Sequence, residues 1–212
     1  MNLGSHVTIA AAHYDDPLVR LGSALPDIAT IGGFRMVPGS VNGPVGEGIA
    51  FHHKTDAIFH SHPWFTSRQK SVFDQLSTAG VGRGAARASA HVGVELLLDG
   101  EVFANDPDRS QLVSGAFAAA RSAPDIAGAV PDESQELWRD HLASLHRWRA
   151  PGYFRDPLAV AHRMESILAR RPRLAMSAGD VPKVASALEA AQPSIAATAE
   201  DFLREMVEAL SR

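Results

Sequence analysis

Two histidine–carboxylate pairs are the residues in this chain best suited to metal chemistry. His52 precedes Asp56 by four residues, and His91 precedes Glu95 by the same interval. On a helix, residues four apart project from one face and can share or flank an ion. Imidazole and carboxylate groups are competent ligands for zinc, manganese or iron. One such pair is weak evidence in a histidine-rich chain, but two pairs on helical segments predict a metal site.

Further candidate ligands lie close to the first pair or far upstream of it. His60 and His62 follow Asp56, and Pro63 is expected to end the helix so that His62 lies at a turn and bends back toward the site. His6 lies on a segment of apolar and small residues, which favours a buried ligand over a solvent-exposed side chain.

Asp27 and His53 have alternative interpretations. Asp27 follows Pro26 at a predicted helix start, where an aspartate caps the helix or interacts with its dipole. Alternatively, the helix terminus directs the Asp27 carboxylate at a metal ion, and the sequence supports both interpretations. His53 points about 100° away from His52 on a helix, so we expect it at the surface.

The environment expected for Glu95 adds a second argument for metal. The segment around His91 is apolar on most sides, so the helix should be substantially buried. Burying Glu95 without a partner would cost several kcal/mol or shift its pKa strongly. A metal ion would remove that cost, as would ion pairing with Arg83 or Arg87.

Composition excludes several functional classes. The chain has 212 residues, a formal net charge of −4 and no cysteine. Disulfides, thiolate ligands and cysteine nucleophiles are therefore excluded, and there is no global basic footprint for nucleic acid. No apolar run approaches the ~18 residues of a membrane helix, and the first residues lack the pattern of a secretory signal. We expect a cytoplasmic protein without a membrane span.

Helical periodicity extends through almost the whole sequence, and no period-two strand pattern appears. We therefore predict an all-α fold, with residues 1–212 forming a single-domain helical bundle. Glycine and proline are expected to separate the helices. The predicted helices cover residues 3–14, 17–24, 25–31, 47–61, 64–77, 83–103, 111–121, 133–148, 157–169, 180–190 and 193–210.

Several segments together resemble the acyl carrier protein phosphodiesterase family. They are MNLGSH at 1–6, LGSALPD at 21–27, EGIAFH at 47–52, Asp56 with His62–Pro63, and RRPRL at 170–174. The resemblance implies an HD-domain-like, all-helical hydrolase that uses manganese to remove 4′-phosphopantetheine from holo acyl carrier protein. It also implies that His6, Asp27, His52 and Asp56 are metal ligands or near neighbours, with Asp27 and Asp56 in the catalytic set.

The basic cluster at 170–173 would then contact the substrate. Arg170, Arg171 and Arg173 surround Pro172 at a predicted helix end. Such clusters are commonly solvated or compensate a helix dipole, but they can also bind a phosphate or the acidic surface of a carrier protein.

The chain departs from that family at the presumed site, and the departures resemble a second group. The family has an arginine where this chain has His53, an aspartate at His60, and paired aspartates at His91 and Glu95. The ligand spacing is also similar to zinc-dependent phospholipase C and single-strand nucleases. Together the two resemblances imply one or two divalent ions, manganese or zinc. In that pattern His52, Asp56 and His62 form one set, and His91 with Glu95 forms the next. A non-catalytic metal-binding helical protein is the remaining alternative.

Overall fold

The computed structural model describes residues 1–120, 123–148, 152–169 and 171–211 of the chain. Over these ranges the chain forms nine α-helices and no strand, which confirms the all-α prediction. Short 3-10 helices lie at Pro124–Ala129, Asp132–Ser134, Leu145–Arg147 and Gly152–Arg155. The α-helices are α1 (Leu3–Ala11), α2 (Pro17–Gly32), α3 (Gly43–Ser61), α4 (Pro63–Thr78), α5 (Arg83–Asn105), α6 (Asp108–Ala119), α7 (Gln135–Ser144), α8 (Pro157–Leu168) and α9 (Asp180–Leu210).

Two prolines expected to begin helices lie inside them instead. Pro26 lies within α2 and Pro193 within α9, so each replaces two predicted helices by one. A proline in a helix interior removes one backbone hydrogen bond and crowds the preceding turn. Burial of neighbouring apolar side chains offsets that local cost: Leu25 lies next to Pro26, and Ile195 lies close to Pro193. Asp27 is consequently an interior residue of α2, and its interpretation as an N-terminal cap is wrong.

The chain divides into two compact units, each built from separate stretches of sequence. The first unit comprises Met1–Ile58, Asn105–Ala150 and Leu203–Arg212, and the second comprises Phe59–Ala104 and Pro151–Phe202. The single domain over residues 1–212 and the HD-like arrangement of its helices stay predictions. No helix in the described part of the chain is both long enough and apolar enough to cross a membrane.

In the first unit, α1, α2 and α6 pack against one another, and α2 crosses α3 at a pair of glycines. A Cβ added to Gly48 would lie 2.1 Å from the carbonyl oxygen of Val19 and 2.7 Å from Cα of Gly22. A side chain at Gly22 would similarly lie 2.2 Å from the carbonyl oxygen of Val45. Only glycine at both positions allows the two backbones to approach this closely. This crossing positions the candidate metal ligands that follow on α3.

The second unit buries an aromatic and aliphatic core. Trp64 stacks on Phe202 with ring centroids 4.2 Å apart, and Phe59 contacts both Phe65 and Phe202. Gly100 of α5 lies against the backbone of Phe154, since an added Cβ would be 2.7 Å from its carbonyl carbon. α5 continues through Gly100 and ends at Asn105, two residues beyond the predicted end.

Candidate metal centres

Four predicted site residues meet in the first unit, and we call them the His6 cluster: His6, Asp27, His52 and Asp56. Nε2 of His6 lies 3.1 Å from Oδ1 of Asp56, and Nε2 of His52 lies 3.4 Å from Oδ2 of the same carboxylate. Two ligands each about 2.1 Å from one tetrahedral ion would be about 3.4 Å apart. The spacing of these donor atoms therefore suits a single divalent ion, and His6, His52 and Asp56 each offer a ligand atom within 4.8 Å of the others.

His52 is oriented by the helix that crosses beneath it. Its Nδ1 lies 2.8 Å from the backbone carbonyl oxygen of Ser23 in a fully buried contact. A carbonyl can only accept, so Nδ1 carries the proton and Nε2 is free of a proton when the ring is neutral. Metal-ligating histidines commonly donate their other ring nitrogen to such an acceptor.

The ring of His6 is completely buried and stacks on that of His52, with centroids 4.0 Å apart. Burial, followed by the neighbouring His52, lowers the pKa of His6 to about 3, so the ring is neutral at physiological pH. Within the described residues, Nδ1 of His6 has no hydrogen-bond partner. A neutral buried imidazole with an unsatisfied nitrogen is consistent with a ligand and costly without one.

Asp56 is the central anion of this cluster. Burial opposes its ionisation, but the adjacent His52 and His6 and the amino group of Met1 hold the pKa of its carboxyl well below the ordinary value. The Met1 amino group donates to Oδ1 at 3.0 Å. For His52, burial acts to lower the pKa, but Asp56, Asp27 and the Ser23 carbonyl outweigh it and raise the pKa above the ordinary value. The His6 cluster therefore contains an ionised carboxylate, that of Asp56, which can bind a cation.

Asp27 lies on the edge of the His6 cluster. Its Oδ2 is 3.8 Å from Nε2 of His6, and its side chain is 21% exposed. The side chain of Asp56 is 28% exposed, whereas the Oδ2 atom of Asp27 that faces His6 is itself buried. Asp27 therefore lies beside the group of His6, His52 and Asp56 without being part of it, and its role at a metal ion stays a prediction.

Three other predicted ligands meet in the second unit, and we call them the His91 cluster: His60, His91 and Glu95. Oε1 of Glu95 lies 3.3 Å from Nε2 of His60 and 3.2 Å from Nε2 of His91. The two imidazole rings lie with centroids 4.9 Å apart and are about one-third exposed, whereas the Glu95 side chain is only 10% exposed. These residues form a second set of two nitrogens and one carboxylate within 4.8 Å.

Two histidines, rather than Arg83 or Arg87, lie next to the buried carboxylate of Glu95. Burial would raise its pKa, but the hydrogen bonds with His60 and His91 contribute to holding the pKa well below the ordinary value. Arg83 and Arg87 are exposed and have no acidic partner among the described residues. Glu95 is therefore an ionised carboxylate beside two imidazoles, a donor set that fits a metal ion.

Not every predicted ligand joins a cluster. His62 belongs to neither group in the described residues and instead caps α4, where its Nδ1 accepts a hydrogen bond from the backbone N–H of Trp64. His53 is exposed, as predicted. Arg171 and Arg173 are also exposed, whereas Arg170 lies outside the described residues. That both histidine–carboxylate pairs belong to one metal site stays a prediction.

Two contributors were missed at the level of sequence. The Ser23 carbonyl orients His52, and the amide of Gln69 lies 3.0 Å from Nδ1 of His91. Each contact joins residues of two different helices, so no local sequence pattern could have revealed it.

Comparisons with models of protein families, with curated proteins and with solved structures found no match to this chain. The two clusters themselves are consequently the principal basis for assigning chemistry.

Proposed function

We propose that this protein is a divalent-metal-dependent phosphodiester hydrolase with the His6 cluster as its catalytic centre. The observation that carries the proposal is the position of Asp56, whose two oxygens face the Nε2 atoms of His6 and His52 at 3.1 and 3.4 Å. Asp56 and the two histidines would hold the ion, with Asp27 beside them. The resemblance to acyl carrier protein phosphodiesterases involves these same four residues.

The side chains of the His6 cluster would have different roles, which follow from their environments. Nε2 of His6 and Nε2 of His52 would each bind the ion, and the Ser23 carbonyl keeps a ring proton of His52 on Nδ1. Asp56 supplies negative charge, and its partly exposed carboxylate faces solvent from which a phosphate can approach. A divalent ion bound there would neutralise phosphate charge and lower the pKa of a bound water.

Asp27 is the residue we assign to positioning the attacking water. It is 21% exposed and its Oδ2 lies 3.8 Å from His6, too far for a hydrogen bond but near enough to reach a water in the same site. A carboxylate there accepts a proton from the water as it attacks phosphorus. No serine nucleophile is required.

The proposed substrate is phosphopantetheine attached to a carrier protein. This assignment is supported by the family resemblance and by the exposed Arg171 and Arg173, which have the charge required for an acidic carrier surface. Metal-dependent hydrolysis of a phosphodiester is the more general proposal, and it does not depend on this substrate.

The test uses protein purified without a metal-affinity tag. A chromogenic phosphodiester is incubated with manganese and then with zinc, and holo carrier protein is analysed by mass spectrometry for loss of one phosphopantetheine group. We expect Asp56→Ala to lose both metal at the His6 cluster and hydrolysis. Asp140→Ala, which removes an exposed carboxylate from α7 of the same unit, should retain both.

The outcomes separate mechanism from substrate. Hydrolysis of the chromogenic ester without action on holo carrier protein would keep the chemistry and discard the carrier. Equal metal content in the wild type and Asp56→Ala would show that the ligand assignment is wrong. Metal bound with neither hydrolysis would favour the non-catalytic metal-binding alternative.

A further inference from the structure

We propose that the second unit contains an independent site for a zinc-like divalent ion, formed by His60, His91 and Glu95, with a phosphate-binding pocket beside it. This inference does not rest on hydrolysis at the His6 cluster. It concerns a different set of ligands, and binding rather than turnover tests it.

The geometry of the His91 cluster is that of three donors converging on one point. Nε2 of His60 and Nε2 of His91 lie 3.3 and 3.2 Å from the same oxygen of Glu95. Two imidazoles and one carboxylate form a ligand set found in zinc sites that keep one coordination position open. Both imidazoles are about one-third exposed, so the open position can face solvent or a ligand.

Gln69 contacts the His91 cluster without being one of its three ligands. Its amide nitrogen Nε2 lies 3.0 Å from Nδ1 of His91. This contact fixes the ring so that Nε2 faces Glu95, which lies one helical turn further along α5. When Nε2 of His91 binds an ion, Nδ1 carries the ring proton, and a half-turn of the Gln69 amide places its oxygen to accept that hydrogen bond. An outer-shell hydrogen bond of this kind sets ring orientation and tunes affinity at metal sites.

The adjoining pocket is cationic and shares Gln69 with the metal site. Its volume is about 280 Å³, and Thr66, Gln69, Lys70, Phe73, Arg83 and Arg87 line it. Arg87 precedes His91 by four residues, one turn along the same face of α5.

The arginines of this pocket are available to an incoming anion. Lys70 is already paired with Asp74, but Arg83 and Arg87 have no acidic partner among the described residues. Guanidinium groups bind phosphate through paired charge-assisted hydrogen bonds. The pocket therefore has the charge and donors to bind a phosphate group close to the second ion.

The metal test measures zinc content and zinc affinity by elemental analysis and calorimetry. Wild-type protein should bind two ions per chain, and Asp56→Ala and His91→Ala should each bind one. His162→Ala provides the matched control, since His162 is an exposed histidine of the same unit. In the Asp56→Ala background, His91→Ala should weaken zinc binding by more than about 100-fold, beyond the usual effect of an outer-shell partner.

The phosphate test uses Asp56→Ala protein loaded with cobalt(II), and inorganic phosphate is the probe. Phosphate should change the visible absorption of the cobalt site, and Arg87→Gln should raise the half-saturating concentration by about 10-fold. Arg163→Gln, which neutralises a half-exposed arginine of α8, should leave it unchanged.

Four results would overturn the proposal. Two ions retained by His91→Ala, or by the one-third-exposed His60→Ala, would show that the cluster is not a metal site. An equal loss in His162→Ala would indicate nonspecific binding to surface histidines. A phosphate response unaffected by Arg87→Gln and Arg83→Gln would overturn the pocket assignment.

Discussion

Nδ1 of His52 lies 2.8 Å from the carbonyl oxygen of Ser23, which joins the third helix to the second through a buried hydrogen bond. The contact leaves Nε2 directed toward Asp56, 3.4 Å away. It exists because Gly22 and Gly48 let the two helices approach closely. Packing of backbone against backbone therefore determines the position of a candidate ligand.

Gly48→Ala should disturb both stability and metal binding at the His6 cluster. The added Cβ would lie 2.1 Å from the carbonyl oxygen of Val19, so α2 and α3 must separate. We expect the free energy of unfolding to fall by about 1–3 kcal/mol, as in overpacked cores, and metal affinity to fall with it. Urea denaturation and calorimetry measure these effects.

Gly115→Ala is the matched control for that substitution. Gly115 lies in α6 of the same unit with no atom within 4 Å of an added Cβ, so alanine there should stabilise the helix by about 0.5–1 kcal/mol. A Gly48→Ala protein as stable as the wild type would contradict the close crossing.

The burial of His6 should make the stability of the metal-free protein depend on pH. Its native pKa of about 3 lies below the ordinary 6.5 expected in the unfolded chain. Between these values the unfolded state binds a proton that the native state does not, so this residue's contribution to stability falls as pH drops from 6.5 toward 3. The slope from one such group is at most about 1.4 kcal/mol per pH unit.

His6→Gln should remove this contribution. The raised pKa of His52 acts in the opposite direction, because its stabilising contribution is present at low pH and is lost as pH rises through the native pKa. Urea denaturation of chelator-treated protein from pH 7 to pH 5 should therefore show a smaller loss of stability in His6→Gln. The exposed His146→Gln serves as the control, and identical pH dependence in all three proteins would rule out a neutral buried His6.

Gln69→Leu should weaken the second metal site without removing a ligand. Loss of its hydrogen bond to Nδ1 of His91 frees the imidazole to rotate, and we expect zinc affinity at the His91 cluster to fall by about 10- to 100-fold. Gln75→Leu makes the same change at an exposed position of α4 and should have no effect. Calorimetry in the Asp56→Ala background distinguishes this site, and equal affinities for the two variants would refute a positioning role for Gln69.

Arg155→Ala should destabilise the second unit through Glu101. Nε of Arg155 donates to Oε1 of Glu101 at 3.1 Å, and the Glu101 side chain is only 3% exposed. Removing the arginine leaves a buried carboxylate without this charge-assisted bond, at a cost of about 1–3 kcal/mol. Thermal or urea unfolding measures the loss, and Glu101→Gln introduced together with Arg155→Ala should recover part of it.

The exposed Arg171→Ala is the control for the Arg155 prediction. A surface substitution away from buried partners should change the free energy of unfolding by less than about 0.5 kcal/mol. If Arg155→Ala is equally neutral, the ion pair does not stabilise the fold.

Local sequence determined the helical class and the histidine–carboxylate pairs. The pairs His52–Asp56 and His91–Glu95 could be predicted because a helix brings residues four apart onto one face whatever surrounds it. The end of α3 before Pro63 was equally local, since proline restricts the residue before it and cannot continue the backbone hydrogen bonds. His6 and Asp27 were candidate ligands from their local sequence, and the resemblance joined them with His52 and Asp56 in one set.

Tertiary structure decided which of these residues meet. It brought His6 to Asp56 and placed His60, rather than His62, beside Glu95. It also kept Pro26 inside a continuous helix, because burial of the surrounding apolar residues outweighs a local backbone penalty that sequence patterns treat as a helix boundary. Helical spacing is a property of a few consecutive residues, whereas contacts between helices depend on how closely their backbones can pack.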